Sequence, residues 1–505
     1  MIKNYLNLIK SLLGNQDGYA ETHYKFRFPW SPLSCPWPEI IVDAPCLAIQ
    51  GAQVPFWIVI KDAHLYPIQV HQVTWTVLHQ NSKVRTQGTI DVNQNFNEWF
   101  TSFPIEITVG QDEGDYIIDV KVEVENTRGK KRDILNWNYH GLPPNSLVVT
   151  RLKEAFPYPQ GWFAGDLHCH TNISSDQVEF GGDLKTMTQA GQCVGLDFWA
   201  PTDHSYDFNY DSKDYMVPID PQIKWNQLAK DIENLPPGLP TVIRSEEVSA
   251  GNHLNENVHF LVIGNEDYIP GHGDGGRRWF NNKPDLSIPQ VQATRKSGVC
   301  FAAHPRVRVS VPEVKILNRG RWHEEDIHDG LDGLQFWNGG RGLNFKEGRA
   351  FWVKQLLKGN QLLPIAGNDA HGDLNRSSGV KIPLFSLWTS HIHSFGRVRT
   401  LFPAQSSSQD DLLEAMRGDI SCITDGPFVK IENNSIQALS NSDWGQLTKV
   451  IIFKGHLDSQ KETSELIKST SFQWEQPFDM NDCDYIRVEV HTDKKCFALS
   501  SALFK

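Results

Sequence analysis

Histidines and carboxylates stand in this chain as pairs and near-pairs that suit metal ligation: His168 with His170, Asp203 with His204, Glu246 with Glu247, then His259, His304, and Asp369 with His371. Imidazole and carboxylate are donors that borderline divalent metals accept readily, and residues two apart on a strand leave the same face. His168/His170 and Asp369/His371 both have that spacing. Taken alone, either pair is what chance or ordinary surface placement produces. A convergent set this large differs, because like-charge repulsion and desolvation would oppose it unless cations were present. The one cysteine among them, Cys169, falls between the two histidines and so faces the other side. The metals expected are therefore Zn, Mn or Fe rather than Ca, and Mg alone suits so many imidazoles poorly.

Residues this far apart in the chain meet only if a repeated scaffold brings them together. Seven short, mainly apolar segments read as strands, over 163–169, 197–202, 241–248, 258–264, 299–303, 333–337 and 362–367. Six of the seven end in a metal-competent residue from the set above. The remaining one ends at Asn338, which either orients water or substrate or simply opens the turn Asn338-Gly339-Gly340. Amphipathic stretches at 183–194 and 347–358 lie between strands. Strand-helix repetition points to an α/β class with parallel pairing, closed into a barrel whose strand carboxyl ends share one mouth.

The flanks read differently. Over 39–149, short runs rich in Val, Ile, Thr and Trp alternate with polar turns; Ile118, Val120, Val122 and Val124 interleave with Asp119, Lys121 and Glu123, as in a half-buried strand. The expected organisation is an N-terminal helix and β-sandwich module over 1–160, the barrel over 161–424, and a small C-terminal β module over 425–505. The stretch 269–284, rich in Gly and Asn with Trp279 and Phe280, reads as a lid over the mouth.

A net charge of -12 argues against extended nucleic-acid binding, which needs Lys and Arg along a face, and favours a small-molecule substrate. Eight cysteines without a CxxC pair fit isolated thiols in a reducing, cytoplasmic setting. No apolar run nears the ~18 residues of a membrane span.

The ordered motifs DLHCHT (166–171), PTDHS (201–205), EEVS (246–249), VHFLVIG (258–264), AAHP (302–305) and GNDAHGD (367–373) resemble the PHP superfamily, of polymerase and histidinol phosphatase. The flanking β regions and ITDGPFVKIE (423–432) are similar to its CehA/McbA-like branch. The resemblance implies a distorted (β/α)7 PHP barrel holding two or three divalent ions. One ion would take His168, His170, Glu247 and Asp369; a second would share Glu247 and take His259 and His304; a third would take Asp176, His204 and His371. Glu247 is implied over Glu246 because the family's ligand precedes an aliphatic and a Ser or Thr, here Val248 and Ser249. Asp176 stands where many members have histidine.

The activity implied is hydrolysis by a metal-bridging hydroxide, most commonly of phosphoesters. The second reading is carbamate, ester or amide hydrolysis with the same centre, and the third a non-catalytic, metal-stabilised binding protein. His204 or His371, where not committed to metal, would protonate the leaving group, and Asp203 would support a ligating histidine. Arg306 and Arg308 follow His304-Pro305 and would either clamp an anionic substrate or remain solvated loop charge.

Overall fold

The computed structural model describes residues 37–505 except 139–143, 175–181, 215–216, 276–281, 310, 312, 372–373 and 382–385. The start of the chain, and the N-terminal helix expected there, lie outside the described residues, as do Asp176 and the aromatic tip of the expected lid.

Residues 39–151 form two sheets packed face to face. One contains Glu39–Asp43, Phe56–Lys61 and Phe100–Ile105; the other is built on Ile68–His79 and Gly114–Asn126. Ile118, Val120, Val122 and Val124 turn inward, and with Ile40, Val42, Ile58 and Ile60 of the facing sheet they make one buried core. The period-2 pattern thus does what a strand requires, placing every second side chain on the dry face.

The expected ring of seven parallel strands is not what the rest of the chain forms. Among the described residues strand outweighs helix, 41% to 16%, and the strands lie in open sheets with no closed barrel. Trp162–Cys169, Phe198–Pro201 and Thr241–Val242 pair in parallel at one end of a long sheet. That sheet then continues through antiparallel strands, from Arg399–Pro403 and Cys422–Thr424 to Phe497–Ser500, Tyr485–Thr492, Leu447–His456 and Lys461–Ser471. Over 425–505 the strands divide: the last four of these extend the long sheet, while Phe428–Glu432, Ser435–Leu439 and Gln473–Pro477 pair in a three-stranded antiparallel sheet of their own. A second sheet holds Ser245–Gly251, Asn257–Ile263, Val299–Ala303, Gly333–Asn338 and Leu363–Gly367 in that order, and only its last two pairings are parallel.

Two local causes account for the departure. The segment expected as one strand over 241–248 divides after Val242: Ile243 N still bonds Trp199 O in the first sheet (3.0 Å), whereas Arg244 O accepts from Gly264 N in the second (2.9 Å). The connection 252–256 is then too short for a parallel return, which needs about a dozen residues or more, so it makes a hairpin. Asn252 Oδ1 closes the turn by accepting from Leu254 N and Glu256 N, and Asn255 takes a left-handed φ of 61°.

The two sheets meet at single bridges, Cys169 to Ala370 and His204 to Glu247. Helices back them. Leu184–Val194, capped by Asp183 and ended by Gly195 at φ 77°, packs Met187, Ala190 and Val194 with Trp199 and Trp225. Leu343–Leu357 sets Phe345, Trp352 and Leu356 against Phe336 and Trp337 of the second sheet. Among the described residues, no helix is long and apolar enough to cross a membrane.

Candidate metal centre

The site lies where the strand ends of the two sheets come together. His168 is the penultimate residue of the strand Trp162–Cys169 and His170 lies just beyond it; His204 follows Phe198–Pro201, and His304 follows Val299–Ala303. Glu247 and His259 lie on the two arms of the hairpin, and Asp369 and His371 follow Leu363–Gly367. All eight are at most 9% exposed. The joint needs glycine at 367: a Cβ there would stand 2.6 Å from His168 Cβ and 2.8 Å from His168 N. That close approach lets Asp369 N bond His168 O (2.6 Å) and His170 N bond Ala370 O (2.8 Å). His304 and Asp369 both hold positive φ, 28° and 51°, a strained backbone for residues with side chains.

Six imidazoles surround two carboxylates. Glu247 Oε1 is 2.8 Å from His259 Nδ1, 3.2 Å from His304 Nε2 and 3.3 Å from His168 Nε2, and its Oε2 is 3.0 Å from His204 Nδ1. Asp369 Oδ1 is 3.2 Å from both His168 Nε2 and His170 Nε2 and 3.8 Å from His371 Nδ1. Four sets of potential ligands result: His168/His170/Glu247, His168/His304/Asp369, His204/Glu247/His259 and His170/His204/His371. All eight positions named from the sequence, six for the first two ions and the two histidines of the third, thus share one cluster, and Asp176 alone of the ligand set falls outside the described residues.

The outward nitrogen of several rings is engaged, which fixes which nitrogen faces inward. His168 Nδ1 donates to Gln335 Oε1 (3.1 Å), and the same oxygen accepts from His304 N (3.0 Å). His170 Nδ1 meets Ser174 Oγ (3.2 Å), whose hydroxyl donates to Asp203 (2.8 Å). His371 Nδ1 donates to the Asp369 carbonyl (3.1 Å), and His259 Nε2 donates to Asp274 Oδ2 (3.0 Å). Asn338 Nδ2 donates to Asp369 Oδ2 (2.7 Å).

Protons alone serve this cluster unevenly. Burial opposes charge on His168, yet the Asp369 and Glu247 carboxylates raise it to about 9. Burial, with the His371 and His204 rings alongside, lowers His170 to about 3. Glu247 is held well below the usual range despite burial, first by His259 and then by His168. Buried His168 Nε2 and Glu247 Oε2 have no hydrogen bond. Nitrogen and oxygen lone pairs directed at the same space are what a divalent cation satisfies, so the donor set fits metal.

The neighbouring glutamates separate cleanly, since adjacent strand residues point to opposite faces. Glu247 joins the cluster, while Glu246 accepts from Ser205 Oγ (2.7 Å) and Ile269 N (2.8 Å), and burial pushes its carboxyl up to about 8. Asp203, expected beside a ligating histidine, acts one step further back: it accepts from Thr171 N and Oγ1 and from Ser174 N and Oγ, holding the turn after His170.

The arginine expected as an anion clamp is turned elsewhere. Arg306 Nη1 donates to Trp322 O (2.9 Å) with its guanidinium over the Phe351 ring, and Arg308 pairs with Glu347 (2.7 Å). The guanidinium against the cluster is Arg319, its Nη2 3.1 Å from His259 Nε2 and its Nε 2.8 Å from Asp274 Oδ2. Asp274 and Arg319 come from irregular segments with no periodic signal. Gln335 carried one: a lone amide inside the apolar strand Gly333–Asn338 needs a buried partner.

No protein-family profile matches the chain, and no curated protein does. Solved structures overlap it weakly. A cycloisomaltooligosaccharide glucanotransferase from Paenibacillus sp., complexed with cycloisomaltoheptaose, has a TM-score of 0.18 at 8% identity over 92% of this chain and 71% of its own. A β-D-mannosidase from Dictyoglomus thermophilum gives 0.20 at 10%, over 92% and 66%, and a Parabacteroides merdae β-glucuronidase 0.19 at 9%, over 92% and 63%. This chain spans less than two thirds of the mannosidase and of the glucuronidase, and scores of this size mark no common fold.

Proposed function

We propose that this chain is a metal-dependent hydrolase, that its buried centre takes two or three divalent ions of the Zn, Mn or Fe kind, and that its substrates are small phosphoesters. The observation that carries the reading is the convergence of six buried imidazoles on Glu247 and Asp369, each with a ring nitrogen 2.8 to 3.8 Å from a carboxylate oxygen. The ordered motifs resembling the PHP superfamily, CehA/McbA-like branch, point the same way.

His168, His170, His204, His259, His304, His371, Glu247 and Asp369 would hold the ions, which when bound supply Lewis acidity toward a phosphoryl oxygen and lower the pKa of water. The chain's own part is orientation and charge. Gln335, Ser174 and Asp274 fix the rings so that their inner nitrogens face the carboxylates. Asn338 steadies Asp369, and Arg319 gives the wall beside His259 a guanidinium, which suits an anionic substrate.

The test joins elemental analysis of the purified protein to hydrolysis of aryl phosphates, aryl phosphodiesters and aryl carbamates, with Glu247→Gln as control. Two or more transition-metal ions per chain and phosphoester turnover lost in the variant are expected. Turnover of carbamates alone would move the substrate class to carbonyl compounds. A metal-free protein, or a variant equal to the parent, would overturn the proposal.

A further inference from the structure

A second group of ligating side chains lies apart from the buried centre, where the 252–256 hairpin turn meets the segment 321–326. We propose that His253, His323 and Glu325 form a separate surface site for one borderline divalent cation, zinc being the type case. One ligand atom from each residue lies within 4.8 Å of the others, the spread that donors at about 2.0–2.2 Å from a single ion occupy. The His253 and His323 rings meet edge to face with centroids 4.9 Å apart.

The two histidines come from different segments, and a buried carboxylate joins them. Asp326 is 1% exposed; its Oδ1 accepts from His253 N (2.7 Å) and lies 3.0 Å from His253 Nδ1, and its Oδ2 accepts from His323 N (2.7 Å). With Nδ1–H donated to Asp326, His253 keeps the lone pair of Nε2 for a ligand, the carboxylate-imidazole pairing that metal sites use to set the tautomer and raise basicity. Two imidazoles and a carboxylate leave room for water in a four-coordinate site, and two nitrogens favour zinc-like ions over calcium or magnesium. His253 and Glu325 are exposed and His323 partly so, so this ion exchanges with solvent while the buried centre stays closed.

An ion here ties the hairpin turn to a segment that already touches the main site. Asn252 Nδ2 donates to Arg321 O (3.0 Å), and Trp322 Nε1 donates to the carbonyl of His259 (3.1 Å). The site is thus a clamp on the hairpin that carries Glu247 and His259, and it stabilises the native chain by binding the folded form alone.

Calorimetric titration of the purified holo-protein with zinc chloride tests this. The parent takes up one further ion per chain and its thermal midpoint rises; His253→Ala and His323→Ala lose both effects, and Glu325→Gln, a change at an exposed position, weakens them while leaving far-UV circular dichroism unchanged. Glu247→Gln keeps the further ion, which separates this site from the buried centre. No further uptake by the parent, or uptake equal to the parent's in His323→Ala and Glu325→Gln, would overturn the proposal.

Discussion

Replacing Asp274 with asparagine changes one charge and almost no volume, at a residue 6% exposed. Its carboxylate accepts from His259 Nε2 (3.0 Å), Arg319 Nε (2.8 Å) and Ser249 Oγ (2.6 Å), and so holds His259 with Nδ1 toward Glu247 Oε1 at 2.8 Å. His259 and Arg319 share Oδ2 while Ser249 meets Oδ1, so the amide of asparagine either offers those two donors a single uncharged oxygen, with its NH2 toward the Ser249 hydroxyl, or turns its NH2 against both. Loss of a carboxylate that orients a ligating imidazole costs about 10- to 100-fold in metal affinity, or about 1.4 to 2.8 kcal/mol. Competition against a chromophoric chelator measures the affinity directly. Among the described residues Asp274 touches one ligand of the cluster, His259, and otherwise Arg319 and Ser249, so kcat at saturating metal should stay near the parent's while the metal concentration needed for half-activity rises. Parental affinity in a folded Asp274→Asn protein would refute the orienting role, and a fall in kcat at saturating metal with affinity intact would put Asp274 on the substrate.

Gly367→Ala sets a methyl 2.6 Å from His168 Cβ and 2.8 Å from its backbone nitrogen, so the two strands must separate; a loss of about 1–3 kcal/mol and of bound metal is expected, and an unchanged thermal midpoint would contradict it. Chelation by EDTA should lower the thermal midpoint of the parent and added Zn2+ or Mn2+ should restore it, since metal binding to the folded chain adds to its stability; indifference to EDTA would count against a resident ion. In the C-terminal part of the long sheet, Arg487 is 3% exposed and bonds Glu489 (2.6 Å) and Glu462 (2.7 Å). Arg487→Met leaves those carboxylates short of a partner and should cost about 3–5 kcal/mol in urea unfolding, although Arg349 also pairs with Glu489; a loss under about 1 kcal/mol would mean that Arg349 compensates.

The parts of this molecule that could be read from its sequence are those governed by local rules. Alternation at Ile118–Val120–Val122–Val124 identifies an inward face regardless of what it packs against, and spacing finds the helix near 183–194; the stretch expected at 347–358 is helical from Leu343 but turns Phe345, Phe351, Trp352 and Leu356 inward, a face its spacing did not give. Pairing direction is not local. The segments 245–251 and 257–263 have the apolar character of parallel core strands, yet the five residues between them decide for a hairpin, and connection length was the signal to weigh. Arg399–Pro403 likewise takes a place beside Trp162–Cys169 that strand composition alone does not assign.

The candidate centre was legible although the barrel was not, because what gathers these side chains is the ends of strands and not closure of a ring. His168, Glu247, His304 and Asp369 need only two sheets that terminate against one another, and the bridges Cys169–Ala370 and His204–Glu247 supply that contact. Residues that act through another residue follow a different logic. Asp274 and Arg319 sit in irregular chain and are specified by what His259 requires on its outer nitrogen, a condition visible only once the ring is in place. Arg306 shows the converse: two positions after His304 in the chain, it lies at the right distance in sequence to serve the cluster, but the Trp322 carbonyl and the Phe351 ring offer its guanidinium an acceptor and a π face, and those hold it. Proximity along the chain therefore locates ligands borne on strand ends and fails for side chains long enough to choose among partners.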